Sequence, residues 1–433
     1  MVAKGNGMRF AVEISFLVLV FSLGFMQPNV EVRGITVPVT DLLFLASGAI
    51  WSVALLLRKV EFRFDRIYWL FGLYAAALLL SALLSENPRS SLFRFLGELY
   101  LIGLAVMTFN IVRTPEMLKK AVFVWLASSA AVAAIGTSTV ISFYLGSSNF
   151  VTQFSLHNYG TLPAGNYPRL QGTFVYPSML CNYLTVSLLM LLAAWRLRWV
   201  GTAVFAVLAA LFSTTISFTV TPGLGGACLG VSIWFYLVFR EQGNRALSGL
   251  ALSSGILAFV GSVFVSAVSV VTPGLERTSI FGIPFDPAVR WMTWSGAFQT
   301  FLAHPVFGKG LGLAVAGVSF IAPSDGAAHL LTDAHNSLLS VAGQAGILGV
   351  VPFVLICFAV VRRSLPLDLS RESAGAMWGC LGIAFIAAFV CQGFVGSFED
   401  ARHLWVLLGL VLSSAAQSSN FNLYPVGRGQ AEA

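Results

Sequence analysis

Apolar residues run along this chain in long blocks, not in the two-residue alternation of a half-buried strand or the narrow stripe of a soluble helix. Twelve blocks predict membrane helices, at about 20 residues per span. They cover 10–26, 37–57, 67–84, 92–112, 121–145, 176–194, 199–219, 223–239, 247–270, 336–360, 375–394 and 403–418. The block at 92–112 is the weakest, because it carries Arg94 and Glu98. The blocks at 199–219 and 223–239 meet in a tight turn, Thr221-Pro222-Gly223. Lys4 and Arg9 precede the first block as in a signal peptide, but it runs into Gln27-Pro28-Asn29 without a small-residue cleavage site. It is therefore expected to stay as a helix. The pattern predicts an all-α polytopic membrane protein, one transmembrane domain over 1–433 with about 12 helices. Gly427 to Ala433 reads as a short mobile tail.

Composition supports the pattern. Of 433 residues, 57% are hydrophobic and 10% are charged, against about 25% charged in a soluble domain. That excludes a soluble or disordered protein. The net charge of +7 is explained by membrane orientation, since cytoplasmic loops carry excess Lys and Arg. No basic cluster is dense enough for a nucleic-acid partner; the partners expected on composition are membrane lipids. With both termini cytoplasmic, only eight basic residues lie on the outer side or at its helix ends: Arg33, Arg89, Arg94, Arg169, Arg277, Arg290, Lys309 and Arg402. The other 17 of the 25 fall inside. The five cysteines all sit in apolar stretches, none at metal-ligand spacing, so no disulfide framework and no structural metal are expected.

Two outer segments are long, 146–175 and, between the ninth and tenth helices, 271–335; loops of that length are usually functional. All five histidines (His157, His304, His329, His335, His403) belong to the outer side or its border, in part because histidine avoids the bilayer core. Within the larger loop, Asp286-Pro287 opens an amphipathic helix over about 286–303, with Asp as cap and Pro at the first position. His304-Pro305 ends it. Trp291, Trp294, Phe298, Phe301 and Leu302 form its aromatic face, with Trp291 and Trp294 read as interfacial anchors. Arg290 belongs to another side. A guanidinium suits bidentate phosphate recognition, although a snorkelling Arg has the same placement. Gly308-Lys309-Gly310-Leu311-Gly312 reads as a turn, lacking the strand and helix of a nucleotide loop. The apolar 313–322 stretch is too short to span and reads as re-entrant. Asp333 is a natural cap for the helix that follows, with His335 in its first turn. The positive end of a helix disfavours imidazolium, which suits a general base; capping or packing is the plainer reading of both residues.

Asp333-x-His335-Asn336-x-x-Leu339, followed by Gly343-x-x-Gly346-x-x-Gly349 and Phe353, resembles the signature of the O-antigen ligase and O-antigen polymerase superfamily. Arg290-Trp291-x-x-Trp294-x-x-Ala297, then His304-Pro305-x-x-Gly308-x-Gly310-x-Gly312, is similar to that family's outer loop, and Arg169-x-x-Gly172-x-Phe174 is similar to a segment before its sixth helix. The likeness is most specific over about 286–353.

The resemblance implies a glycosyltransferase that moves a glycan from undecaprenyl diphosphate to a hydroxyl acceptor at the periplasmic face of a bacterial inner membrane. It implies inversion at the anomeric carbon, with neither a nucleotide sugar nor a metal or other cofactor. His335 would be the base, Arg290 would hold the diphosphate and Arg169 would add a second phosphate contact. Arg277, Asp333 and Asn336 are supporting candidates. Many members have a Ser-Arg-Gly-like turn between the seventh and eighth helices; this chain has Thr221-Pro222-Gly223 there and lacks that arginine. A ligase acting on lipid A-core oligosaccharide is slightly preferred to a polymerase joining lipid-linked repeat units. A transporter or flippase of lipid-linked glycans predicts ionisable residues deep in several helices, and only Glu98 comes near that. A scaffold does not account for the Arg- and His-bearing outer loop.

Overall fold

A computed structural model describes residues 6–27, 30–32, 35–147, 150–156, 168–268, 279–280, 283–284, 288–321, 328–331, 333–365 and 375–422. The expectations placed on Arg277, Asp286, Pro287, His157 and the 427–433 tail lie outside them.

The architecture is all-α. In chain order the helices are α1 (Asn6–Ser22), α2 (Val39–Leu56), α3 (Ile67–Leu83), α4 (Pro88–Ile111), α5 (Pro115–Tyr144), the short α6 (Phe150–Ser155), α7 (Pro177–Arg196), α8 (Thr202–Phe218), α9 (Gly223–Glu241), α10 (Arg245–Val268), α11 (Ala288–Ala303), α12 (Ser337–Ser364), α13 (Gly375–Ala384) and α14 (Arg402–Asn422). After α13 the chain widens into a π-helical turn, Phe385–Cys391, and tightens into a 3-10 turn, Gln392–Phe394. Three two-stranded antiparallel hairpins decorate the connections: β1 (Val30–Val32) with β2 (Ile35–Val37), β3 (Ser279–Ile280) with β4 (Ile283–Pro284), and β5 (Val318–Ile321) with β6 (Ala328–Leu331).

Each of the twelve apolar blocks corresponds to one helix, with α13 carried on by its two turns. Among the described residues, eight helices are long and apolar enough to cross a membrane: α2, α4, α5, α7, α9, α10, α12 and the Ala376–Phe394 continuation of α13. α3, α8 and the Arg402–Ala416 part of α14 are shorter apolar helices. At 17 residues, α3 rises about 25 Å, less than the roughly 30 Å hydrocarbon core.

At α4 and α5 the helix start follows capping rather than apolarity. α4 and α5 begin at prolines, with the Asn87 side chain accepting from the Ser90 N–H and the Thr114 hydroxyl accepting from the Met117 N–H. Both therefore start several residues before their apolar blocks. The stretch at 313–322 ends in a strand rather than a helix. Its residues Val318–Ile321 pair with Ala328–Leu331 in an antiparallel hairpin; Val, Phe and Ile favour strands.

α7 is the centre of the bundle, buried on nearly every face, while α2 and α10 lie at the edge with few buried residues. Hydroxyl and amide side chains tie α7 to its neighbours. Trp125 Nε1 donates to Ser187 Oγ at 3.0 Å, and Tyr183 Oη donates to Ser128 Oγ at 3.1 Å. Asn182 Nδ2 donates to Ala388 O at 2.8 Å and to Gln392 Oε1 at 2.7 Å, and Gln392 Nε2 donates to Gly223 O at 2.7 Å. Nε2 of the buried His403 meets Asn182 Oδ1 at 2.6 Å. Where lipid gives helices no hydrophobic reason to associate, such bonds and close packing hold them together.

Candidate functional site

The site lies where α11 crosses the start of α12. Thr293 Oγ1 donates to Ala334 O at 3.2 Å, and Trp294 Nε1 donates to His335 O at 3.3 Å. Trp294 is thereby held on the side of α11 that faces the start of α12. Its face of α11 turns inward with the buried Ala297, while Trp291, Phe298 and Leu302 are exposed.

Asp333 and His335 do not begin α12 as expected. The cap is Asn336, whose Oδ1 accepts from the Leu339 N–H at 3.0 Å and whose Nδ2 donates to Phe394 O at 3.1 Å. Asp333 instead caps His335 itself. Its Oδ1 accepts the His335 backbone N–H at 2.8 Å and lies 2.7 Å from His335 Nδ1. This short turn holds His335 at φ +48°, a left-handed conformation disfavoured for a non-glycine residue. Strained residues of this kind cluster where the surrounding structure fixes a side chain for a task.

Burial alone would raise the Asp333 carboxyl, but the charge and hydrogen bonds of His335, and then Arg290, bring it below its ordinary value. Asp333 is thus a carboxylate acceptor, and the Nδ1–H of His335 donates to it. In the neutral ring this hydrogen bond would place the lone pair on Nε2, the tautomer a base needs.

Arg290 projects from the first turn of α11 and donates from Nη1 to Val395 O. Among the described residues no carboxylate forms an ion pair with it. Burial first, then the neighbouring charge of Arg169, pulls its guanidinium down to about 10, with Asp333 opposing; it stays cationic at neutral pH. Arg169 comes from the segment before α7, where Leu156 and Leu170 form an antiparallel bridge. Its Nε donates to Thr219 O at 3.4 Å, which sets it against the turn leading to Thr221-Pro222-Gly223. Two guanidinium groups in mutual electrostatic reach, beside a tethered histidine, make a place for a polyanion with a base at its edge.

Two glycine turns support this arrangement. Gly308 and Gly346 have φ +72° and +60°, and their backbones meet face to face. Ile347 N–H donates to Pro305 O at 2.8 Å, and Gly310 N–H donates to Gln344 O at 3.1 Å. The Gly308–Gly312 segment is thus a turn, as read from sequence, and α12 breaks at Gly346 to receive it.

Sequence reading missed an acidic group beside the site. Arg94 Nη2 is 2.5 Å from Asp400 Oδ2, and its Nε is 3.7 Å from Glu98 Oε1. Glu399 is buried, and its Oε2 has no hydrogen-bond partner among the described residues. Burial, and next the charge of Asp400, pushes the Glu399 carboxyl up to about 8, while Ser340 and a backbone hydrogen bond oppose and Asp333 adds to the rise. Tyr176, just before α7, lies in electrostatic reach of Asp333 and Asp400. The only local sequence signal was Arg94 and Glu98, spaced i, i+4 in an apolar block.

Comparison with models of known protein families and with curated protein sequences gave no match.

Proposed function

We propose that the chain is a membrane-embedded glycosyltransferase of the O-antigen ligase type, twelve-spanning in a bacterial inner membrane, with both termini cytoplasmic and this site on the periplasmic face. The observation that carries the reading is the meeting of Arg290, Arg169 and the Asp333-tethered His335, brought together from the two long outer segments of the sequence. A lipid-linked diphosphate needs paired cations near the membrane surface; an acceptor hydroxyl needs a base beside them. Arg169, standing against Thr219, offers a cation close to the turn whose family arginine is missing.

In this reaction Nε2 of His335 takes the proton of the acceptor hydroxyl as its oxygen attacks the anomeric carbon. The bond from that carbon to the diphosphate oxygen breaks, and undecaprenyl diphosphate leaves with the electron pair. Arg290 and Arg169 neutralise the charge that builds on it. A diphosphate leaves readily, so a strong general acid is not needed.

The test is transfer from a glycan-linked undecaprenyl diphosphate in vesicles. His335→Ala is expected to lower the rate by about 10²-fold or more in protein that still unfolds cooperatively; an unchanged rate overturns the assignment. Lipid A-core as sole acceptor separates ligase from polymerase, which requires a second lipid-linked repeat unit.

A further inference from the structure

At the opposite end of the bundle from His335, the first turns of α1, the end of α2 and the end of α4 enclose a cavity of about 310 Å³. Arg9, Arg58, Lys59 and Arg113 line it, opposed by Glu13 and Glu61. The acidic side is already occupied. Glu13 is 3.3 Å from Arg9 Nε and 3.7 Å from Lys120 Nζ. Arg113 donates from Nη2 to Glu61 O and from Nε to Asn110 O at 2.7 Å, so backbone carbonyls position it. Burial pulls the Arg113 guanidinium below its ordinary value; Glu61 opposes, and the charges of Arg63 and Arg9 add to the fall. The pocket is cationic beyond what its own carboxylates balance.

Its rim is apolar. Leu56 and Leu57, the two residues before Arg58, are exposed, as is Phe62 beyond Glu61, and Trp51 lines the cavity itself. Arg58 turns the chain at φ +54°, where glycine is usual after a helix. Its amide donates to Leu55 O at 2.9 Å, and the Lys59 amide donates to Ala54 O at 2.9 Å. That tight turn brings two cations to the cavity directly beside the apolar end of α2. A ligand with a small anionic head and an aliphatic body matches both features.

We propose that this cavity binds the phosphodiester headgroup of one anionic phospholipid, whose acyl chains lie along the exposed end of α2. Basic pockets between helices at the cytoplasmic side are suited to such headgroups, and the distribution of basic residues assigns this end to that side. Nothing in the site depends on the reaction performed at the other end of the bundle.

Native mass spectrometry of the full chain released from detergent tests the site, with phosphatidylglycerol, phosphatidylcholine of the same acyl chains, and inorganic phosphate as probes. Phosphatidylglycerol is expected to give one retained adduct per chain, and phosphatidylcholine none at the same concentration. Arg58→Gln and Lys59→Gln should each weaken the adduct about fivefold. Arg245→Gln, which removes a basic residue that does not line the cavity, should leave it intact. Glu13→Gln removes an anion and should strengthen it, which guards against loss of binding through misfolding. Equal retention of phosphatidylcholine, or equal losses with Arg245→Gln, overturns the proposal. So does a site that millimolar inorganic phosphate fills in place of the lipid.

Discussion

At the scale of single residues, the Asp333–His335 turn is the most constrained element of the site. One carboxylate oxygen serves both the backbone and the ring of the same histidine. Asp333→Asn keeps an acceptor for the backbone but removes the charge and allows the other tautomer at the ring. The expected result is a fall in kcat of about 10²-fold, with KM for the lipid-linked donor nearly unchanged because Arg290 and Arg169 remain. Parallel loss of donor affinity would show that Asp333 organises phosphate binding instead. Glu399 makes a second prediction. Its carboxyl rises from an ordinary 4.5 to about 8, so the folded state holds a proton that the unfolded chain releases. Its contribution is complete below about pH 4.5 and is lost as pH rises toward about 8. Asp333, whose value is lowered, contributes in the opposite sense and in a more acidic window. Thermal unfolding in detergent should therefore move to lower temperature between pH 5 and 8, and Glu399→Gln should flatten that slope. A variant slope equal to the parent's would remove Glu399 as the cause.

At the scale of elements, the joint between α12 and the Gly308 turn is paid for in backbone conformation. A Cβ on Gly346 would lie 2.4 Å from Val306 C, and φ is +60°. Gly346→Ala is expected to cost about 2 kcal/mol or more and to lower transfer as the outer loop lifts from α12. Gly48→Ala, in α2 with open space around its Cβ position, should be neutral or stabilise slightly. Equal melting shifts for the two variants would refute the close approach. The sequence showed where helices lie because hydropathy acts over whole spans. It did not show that α12 breaks at Gly346, since Gly343-x-x-Gly346-x-x-Gly349 reads equally well as a smooth small-residue face. Nor did it separate Trp294 from Trp291. Both belong to one aromatic stripe, and only the position of Ala334 and His335 decides that Trp294 faces inward. Arg94 with Asp400, and Arg402 with Asp41 at 2.6 Å, join residues hundreds of positions apart, which no local spacing reveals.

At the scale of the whole molecule, charge placement gives the two ends different work. Arg9, Lys120, Arg113 and Arg58 gather at one end, while Arg290, Arg169 and His335 gather at the other. Of the eight basic residues assigned to the outer side, Arg94 and Arg402 pair with carboxylates, while Arg290 and Arg169 lie in electrostatic reach of each other. This separation requires the short helices to cross as well. If α3 stopped within the membrane, Arg63 and Glu86, on either side of it, would face the same compartment. Crossing would require α3 to thin the bilayer or let its flanks snorkel, a modest cost of fractions of a kcal/mol per Å of mismatch. Single cysteines introduced at Lys59 and at Gly317, with the native cysteines replaced, make this testable with a membrane-impermeant maleimide on intact, outer-membrane-permeabilised cells. Gly317→Cys is expected to label and Lys59→Cys to label only after lysis. Labelling of both without lysis would break the twelve-span arrangement and separate the His335 site from the periplasm. The opposite pattern would keep the fold but invert it, placing the proposed diphosphate site where no flipped lipid-linked donor is presented.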